Sequence, residues 1–253
     1  MTGTCLITGG ARGIGRAAAL AAARDGWDVA INYRERADAA EDVVAQVQAL
    51  GRKAVAIRAD VALEADIVAM FRQAESELGP LRGLVNSAGV SFNNRVEALD
   101  AAGLARMMQV NVIGLMLCCR EAARRMSTAH GGRGGTVVNI SSMAATIGGR
   151  AGASAYAASK GAVDVFTSGF AKEVAVLGIR VNVVRPGVTD TDMIAGTHAG
   201  ARRAQIEATI PMKRFASADE VAAAVVWLLS EKASFVTGTH LNVGGGGFLV
   251  GAG

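Results

Sequence analysis

The chain alternates between short, mostly apolar runs and longer stretches whose apolar positions recur every three or four residues. Residues 4–8, 29–33, 54–57, 81–85, 136–140, 179–184 and 241–243 are of the first kind and read as strands. Between them, Ala40, Val43, Val44, Val47 and Leu50 follow the spacing of a helix with one apolar face, as do Ile67, Met70, Phe71, Ala74 and Leu78 before Gly79-Pro80. An Ala-rich stretch at 16–24, a long helix over 101–126, a helix opening at Ser154 and one over 221–229 complete the pattern. The last is preceded by Ser217-Ala218-Asp219-Glu220, a capping box. Strands and helices in alternation, joined by connections too short for anything but right-handed crossovers, predict a parallel, doubly wound α/β sheet. Residues 189–209 have mixed polarity without a period and are expected to form a substrate lid. The glycine-rich end from 244 is expected to be mobile.

Composition changes this picture little. No Pro/Ser-rich linker or charge block divides the 253 residues, so a single domain over 1–253 is expected. The formal charge of +4 is spread along the chain, with Arg124-Arg125 and Arg202-Arg203 as basic doublets, and two Tyr and two Trp leave no aromatic-rich basic face for nucleic acid. Cys5, Cys118 and Cys119 lack metal-ligand spacing and read as buried thiols in a reducing compartment, with no metal expected. No leader pattern and no apolar run of about 18 residues stands out, which predicts a cytoplasmic protein without a membrane partner.

The polar and glycine-rich clusters fall where the predicted strands end, which is where ligands of such sheets bind. Thr8-Gly9-Gly10-Ala11-Arg12-Gly13-Ile14-Gly15 lies between the first strand and its helix, a context in which glycines let backbone N–H groups approach a pyrophosphate. A tight turn without a ligand fits the same string. Tyr156 and Lys160 stand four residues apart at a helix start and so share a face. Bringing a tyrosine from ~10 to about 7 needs roughly 4 kcal/mol of preferential anion stabilisation. One positive charge at ~4 Å supplies about that much at an effective dielectric of ~20. With Ser154 as N-cap, the helix dipole adds to it. A solvated lysine beside a half-buried tyrosine also fits the pair taken alone.

In chain order, Thr8-Gly9-x-x-x-Gly13-Ile14-Gly15, Asp60-Val61, Asn86-Ser87-Ala88-Gly89, Asn111, Ser142, Tyr156-x-x-x-Lys160 and Pro186-Gly187 resemble the motif set of the classical short-chain dehydrogenase/reductase family, over essentially the whole chain. The resemblance implies a Rossmann-type, seven-stranded, doubly wound parallel sheet and an NAD(P)(H)-dependent oxidoreductase interconverting a carbonyl and a secondary alcohol. It implies that Tyr156 is the general acid or base and that Lys160 lowers its pKa and holds the nicotinamide ribose. Ser142 would polarise the substrate oxygen, and Asn111 would keep a water in the proton relay. The implied cofactor contacts are Thr8, Gly9, Gly13, Ile14 and Gly15 at the pyrophosphate, Asp60 and Val61 at the adenine, and Asn86, Ala88 and Gly89 beside the adenosine ribose. Pro186, Gly187, Val188, Thr189 and Thr191 would hold the nicotinamide carboxamide.

Three positions depart from the family pattern. Ser87 replaces a second Asn, Thr189 replaces an apolar residue, and the interval from Ser142 to Tyr156 is one residue longer than usual, which brings Ser141 into competition with Ser142. For cofactor choice, Tyr33 stands where a carboxylate would chelate the ribose of NAD, and Arg34 and Arg12 are expected to flank the 2′-phosphate of NADP. At about 1.5–3 kcal/mol per charge-assisted bond, NADP(H) is the expected cofactor, with NAD possible. The partner is a small carbonyl or alcohol substrate. Two alternatives remain: a 3-oxoacyl-thioester (acyl-carrier-protein) reductase whose Arg124, Arg125, Arg202 and Arg203 receive an acidic carrier, and a non-catalytic nucleotide sensor, against which the presence of both Tyr156 and Lys160 argues. The resemblance also implies a homotetramer, or a homodimer, pairing the Asn111 and Tyr156 helices; Gly161, Ala162 and Gly169 would permit close approach, unless they serve packing on the chain's own sheet.

Overall fold

The computed structural model describes residues 3–191 and 200–247. β1 (Thr4–Thr8), β2 (Asp28–Tyr33), β3 (Ala54–Arg58), β4 (Leu81–Asn86), β5 (Gly135–Ile140), β6 (Ile179–Pro186) and β7 (His240–Val243) form a seven-stranded sheet in the order β3-β2-β1-β4-β5-β6-β7. Every neighbouring pair is parallel. Alternate strand residues feed opposite layers. Cys5 and Ile7 join the core under α1 (Gly13–Arg24), α2 (Ala37–Ala49) and α9 (Ala218–Leu229), whereas Leu6 joins the core under α3 (Glu64–Leu78), α5 (Leu115–Met126) and α7 (Ser154–Val174). Two covered faces are why apolar residues on these strands occur at neighbouring positions and not only at alternate ones. Each large aliphatic side chain so buried contributes about 1.5–3 kcal/mol. The order of strands reverses between β1 and β4, so the loops after these two strands form the crevice of the sheet. The capping box of α9 is present, with Ser217 Oγ accepting from Glu220 N at 3.2 Å and Ser217 N donating to Glu220 Oε2 at 2.8 Å.

Several expectations need correction. The helix over Ala101–Met126 is continuous but irregular, because α4 (Ala101–Met108) passes through a π-helical turn at Gln109–Gly114 before α5. Gly114, the last residue of that turn, lets the helix approach the loop after β3, since a Cβ there would lie 2.2 Å from the Val61 carbonyl oxygen. By length and composition this helix is also apolar enough to cross a membrane, with a mean hydropathy of 1.5. Its apolar face is spent on the sheet, where Leu115, Cys118, Cys119, Ala122 and Met126 are buried in the second core.

Ser154 is the first residue of α7 rather than its cap; Ala153 holds the cap position and no side chain caps the helix. Tyr156 still lies in the first turn. Residues 189–209 include a regular helix, α8 (Gly200–Thr209), which the pattern did not signal because Ile206 is its buried residue and supplies no period. Residues 192–199 of the expected lid lie outside the described residues. At the glycine-rich end, Met212 N bonds to Gly245 O at 3.1 Å and Gly247 N to Gly244 O at 3.0 Å, a hydrogen-bonded turn where mobility was expected. Residues 248–253 lie outside the described residues. A Cβ at Gly161 or Gly169 would meet nothing within 4 Å, so these glycines do not serve packing on the chain's own sheet.

Candidate active site

The loop from β1 to α1 is shaped by missing side chains. Gly9 has φ +64°, and a Cβ on it would lie 2.9 Å from Ala88 Cα; a Cβ on Gly15 would lie 2.3 Å from the Gly9 carbonyl oxygen. Only glycine lets β1, α1 and the loop after β4 meet this closely. α1 begins with no side-chain cap and no acidic residue in its first turn, which leaves the positive end of the helix available to an anion. A pyrophosphate fits that cradle. Thr8 is buried away from it: its hydroxyl oxygen accepts from Ser87 N and Ala88 N, both at 3.1 Å, and so fixes the loop after β4. Ile14 packs on the first core.

At the carboxyl edge of β2, Arg12 and Gly13 line one cavity with Arg16, Arg36 and Asp42, whereas Arg34 lines a second with Arg58 and Asp60. Arg16 and Arg36, outside the motif logic, are further guanidiniums at the Arg12 cavity. Tyr33 closes β2 with no carboxylate in its place. Asp60 is held by Arg106 Nη2 at 3.2 and 2.9 Å and by Ala62 N at 2.9 Å. Burial pushes its carboxyl up, but the Ala62 N–H and the Arg106 guanidinium outweigh that and hold it below the usual range. Val61 is buried. Asn86 also points inward, bonding Asn139 Oδ1 at 2.9 Å and Cys119 Sγ at 3.4 Å, so a contact with a ribose from this segment would come from Ala88 and Gly89.

The acid/base residues converge at the ends of β4 and β5. Ser142 faces the Tyr156 hydroxyl, and its Oγ also accepts from Ala144 N at 3.1 Å. Ser141 turns away and donates to the Lys160 carbonyl at 3.1 Å, so Ser142 is the serine at the tyrosine. Lys160 is 5% exposed; its Nζ donates to the Ile140 carbonyl at 2.8 Å and lies 5.8 Å from the Tyr156 ring centroid. Burial draws its pKa down to about 8, against the pull of the Asp164 charge. The phenol moves opposite to expectation: burial raises the Tyr156 pKa, and the hydrogen-bonding influence of Ser142 only partly offsets it. At this distance, with its ammonium engaged at Ile140, Lys160 does not reverse the effect of burial.

Asn111 sits in the π-helical turn and clamps the loop after β4. Its Oδ1 accepts from Val90 N at 2.8 Å, and its Nδ2 donates to Val90 O at 2.9 Å and to Ser159 Oγ at 3.1 Å. Ser159 in turn donates to the Tyr156 carbonyl at 2.7 Å. Ser159 was missed by the motif reading, although its place three residues after Tyr156 signalled a shared face. A Cβ on Gly89 would lie 3.5 Å from Asn111 Oδ1 and 3.7 Å from Lys160 Nζ, so the loop passes directly over both.

The loop after β6 completes the edge. Gly187 N bonds to Val243 O at 2.8 Å, and Pro186 O accepts from Met143 N at 2.9 Å. Val188 packs on Ile206, Ile210 and Phe215. Thr189 is buried and spends its hydroxyl on Gly187 O at 3.2 Å. Thr191 approaches the glycine loop, with its Cγ2 3.4 Å from where a Gly13 Cβ would stand. Among the described residues, no cluster of three or more His, Cys, Asp or Glu is placed to hold a metal.

Comparison with known proteins places this arrangement. A family model described as enoyl-(acyl carrier protein) reductase matches residues 9–247. The chain is 47% identical to an uncharacterized oxidoreductase, YgfF, of Escherichia coli over 95% of this chain and 98% of the relative. It is 34% identical to the 3-oxoacyl-[acyl-carrier-protein] reductase FabG of Staphylococcus aureus over 98% of this chain and 99% of the relative. Among solved structures, a short-chain dehydrogenase from Burkholderia cenocepacia in complex with NADP superposes with a TM-score of 0.89, at 37% identity and 97% coverage of both chains.

Proposed function

Since the chain belongs to the short-chain dehydrogenase/reductase family, we propose that it interconverts a carbonyl compound and a secondary alcohol, with NADP(H) preferred over NAD(H). The observation that carries the proposal is the meeting of Ser142, Tyr156 and Lys160 beside the glycine cradle of β1 and α1. When bound, the dinucleotide supplies or receives the hydride. The chain's own part is proton handling and orientation. Ser142 presents a hydroxyl beside the Tyr156 hydroxyl, so that one substrate oxygen takes hydrogen bonds from both. A phenol is protonated at neutral pH, so Tyr156 has a proton to give to a carbonyl oxygen as a general acid; burial alone makes it a weaker acid, and the Ser142 hydroxyl works against that. Lys160, titrating near 8, keeps a positive charge beside the phenol at pH 7 and favours the phenolate left by that transfer.

The preference for NADP(H) rests on the absence of a carboxylate at the end of β2 and on the Arg12, Arg16 and Arg36 cavity at the start of α1. The NADP complex of the Burkholderia relative agrees with it. Association of copies through the Asn111 and Tyr156 helices is part of the same reading; Met108, Ile113 and Val165 are exposed there, beside the open faces of Gly161 and Gly169.

A 3-oxoacyl-thioester substrate is the second reading, favoured by the likeness to the Staphylococcus reductase. The basic doublets lend it little. Arg124 and Arg125 are bonded to the buried Glu121, and Arg203 to Asp190 and Glu207. The test is steady-state oxidation of NADPH and of NADH, followed at 340 nm, with ketones, aldehydes, sugars and acetoacetyl thioesters. NADPH-dependent turnover of at least one class is the expected result, and turnover of none rejects the proposal.

A further inference from the structure

α7 carries a column of polar residues of which the mechanism uses only the start. Tyr156, Lys160, Asp164 and Ser168 follow one another four residues apart, about one turn each along one face. Asp164 is 6% exposed, and a carboxylate removed from water needs a compensating charge. Its Oδ2 accepts from Arg185 Nε and Nη2, both at 2.8 Å, while its Oδ1 is buried with no hydrogen-bond partner. Arg185 belongs to β6 and stands immediately before Pro186-Gly187. The ion pair thus ties the helix that holds Tyr156 and Lys160 to the strand that leads into the Pro186–Thr191 loop.

We infer that Asp164 is a positioning residue for the acid/base pair: its carboxylate, one turn behind Lys160, is the counter-charge that keeps the lysine an ammonium, and Arg185 holds that carboxylate in place. The inference rests on the proposed roles of Tyr156 and Lys160. The charged and titratable side chains that surround this column are Tyr156 and Lys160 on α7 itself, Arg185 from β6 and His240 from β7. His240 reaches the helix backbone, with Nε2 3.1 Å from the Asp164 carbonyl oxygen and 3.4 Å from Ser168 Oγ, and not the carboxylate. β5 offers the Ile140 carbonyl and Ser141, and the π-helical turn the Asn111 amide, all uncharged. Burial draws Lys160 down, and the Asp164 charge is what opposes the fall.

The chain has five lysines, and Lys53, Lys172, Lys213 and Lys232 are exposed, so Lys160 can be followed by itself. With 13Cε-labelled lysine, NMR titration of the protein without cofactor or substrate reads its protonation directly, the signal being assigned by its loss in Lys160→Met. In the wild type the midpoint is expected near 8. In Asp164→Asn it should fall by about two pH units, the effect of a unit charge roughly 5.4 Å away at an effective dielectric of ~20, and the double variant Asp164→Asn with Arg185→Met should titrate about as far below Arg185→Met. In Arg185→Met, where the carboxylate stays and the guanidinium goes, it should hold or rise.

The double variant removes both members of the ion pair and strands neither the guanidinium nor the carboxylate, so it reports even where Asp164→Asn folds poorly. A double variant that titrates like Arg185→Met overturns the inference and makes the pair a purely structural tie. Because no cofactor or substrate is present, that failure is distinct from a failure of the proposed reaction, which the turnover assay reads.

Discussion

Replacing Lys160 by Met should make the protein without ligand more stable at neutral pH, in a way that depends on pH. Burial draws the lysine from an ordinary 10.5 to about 8. At about 1.4 kcal/mol per pH unit, holding its proton in the folded state at pH 7 costs on the order of 3 kcal/mol. Met fills a similar volume without the charge but forfeits the bond from the Nζ ammonium to the Ile140 carbonyl, worth about 1.5–3 kcal/mol. The net expectation at pH 7 is a gain of up to about 1.5 kcal/mol. Between about pH 8 and 10.5 the unfolded chain still binds a proton that the folded chain has released, so wild-type stability rises with pH across that window. By pH 10 the advantage of the variant should therefore shrink by about 2–3 kcal/mol, and the wild type should equal or overtake it. Urea unfolding at pH 7 and pH 10 and one fixed protein concentration measures this, with the buried Trp27 as fluorescent reporter. A difference between the two proteins that is the same at both pH values refutes the reasoning.

Three further outcomes follow from the geometry. Gly15→Ala would set a Cβ 2.3 Å from the Gly9 carbonyl oxygen, so it should weaken NADPH binding at least about a hundredfold in a fluorescence titration while cooperative unfolding persists. The double variant Arg12→Ala with Arg36→Ala should lower the ratio of kcat/KM for NADPH to that for NADH by about ten- to a hundredfold, and Arg34→Ala should lower it far less. Glu121→Ala removes the buried carboxylate, 3% exposed, shared by Arg120, Arg124 and Arg125; Arg120 keeps Glu64 and Arg125 keeps Glu75, so the protein should be destabilised by about 1–2 kcal/mol at pH 7. Burial pushes the Glu121 carboxyl up, but the Arg125 and Arg120 guanidiniums outweigh it and hold the group below its ordinary range. Its contribution is therefore present above that range and lost on acidification, and the gap between variant and wild type in urea unfolding should narrow as pH falls.

The sheet was legible because strands covered on both faces carry their own signal: Val29 and Ile31 face one layer, Ala30 the other, and all three are apolar. The glycine loop and the residues of the acid/base group were legible because their chemistry depends on residue type at fixed spacing. What was not legible depends on neighbours distant in sequence. The approach of the Asn111 helix to the loop after β3 requires knowing that Gly114 faces the Val61 carbonyl. Which arginines share a cavity depends on how the chain turns after Tyr33, which no periodicity records. The direction of the Tyr156 shift was missed for a similar reason, since the four-residue spacing shows that Lys160 is near but not that its ammonium is engaged by Ile140 and that burial outweighs it. The buried Asp164 and Arg185 lie in different elements, and their pairing becomes visible only once β6 is laid beside α7.

In the proposed reaction Tyr156 hands a proton to a carbonyl oxygen, and the turnover of Tyr156→Phe, which removes one oxygen and little else, measures that step. With NADPH and the best carbonyl substrate of the wild type, followed at 340 nm, kcat should fall by at least about a hundredfold, the usual worth of a positioned general acid. NADPH binding, read by fluorescence, should remain within about threefold of the wild type, a change of less than about 0.7 kcal/mol. A variant that keeps most of the wild-type rate would contradict the account.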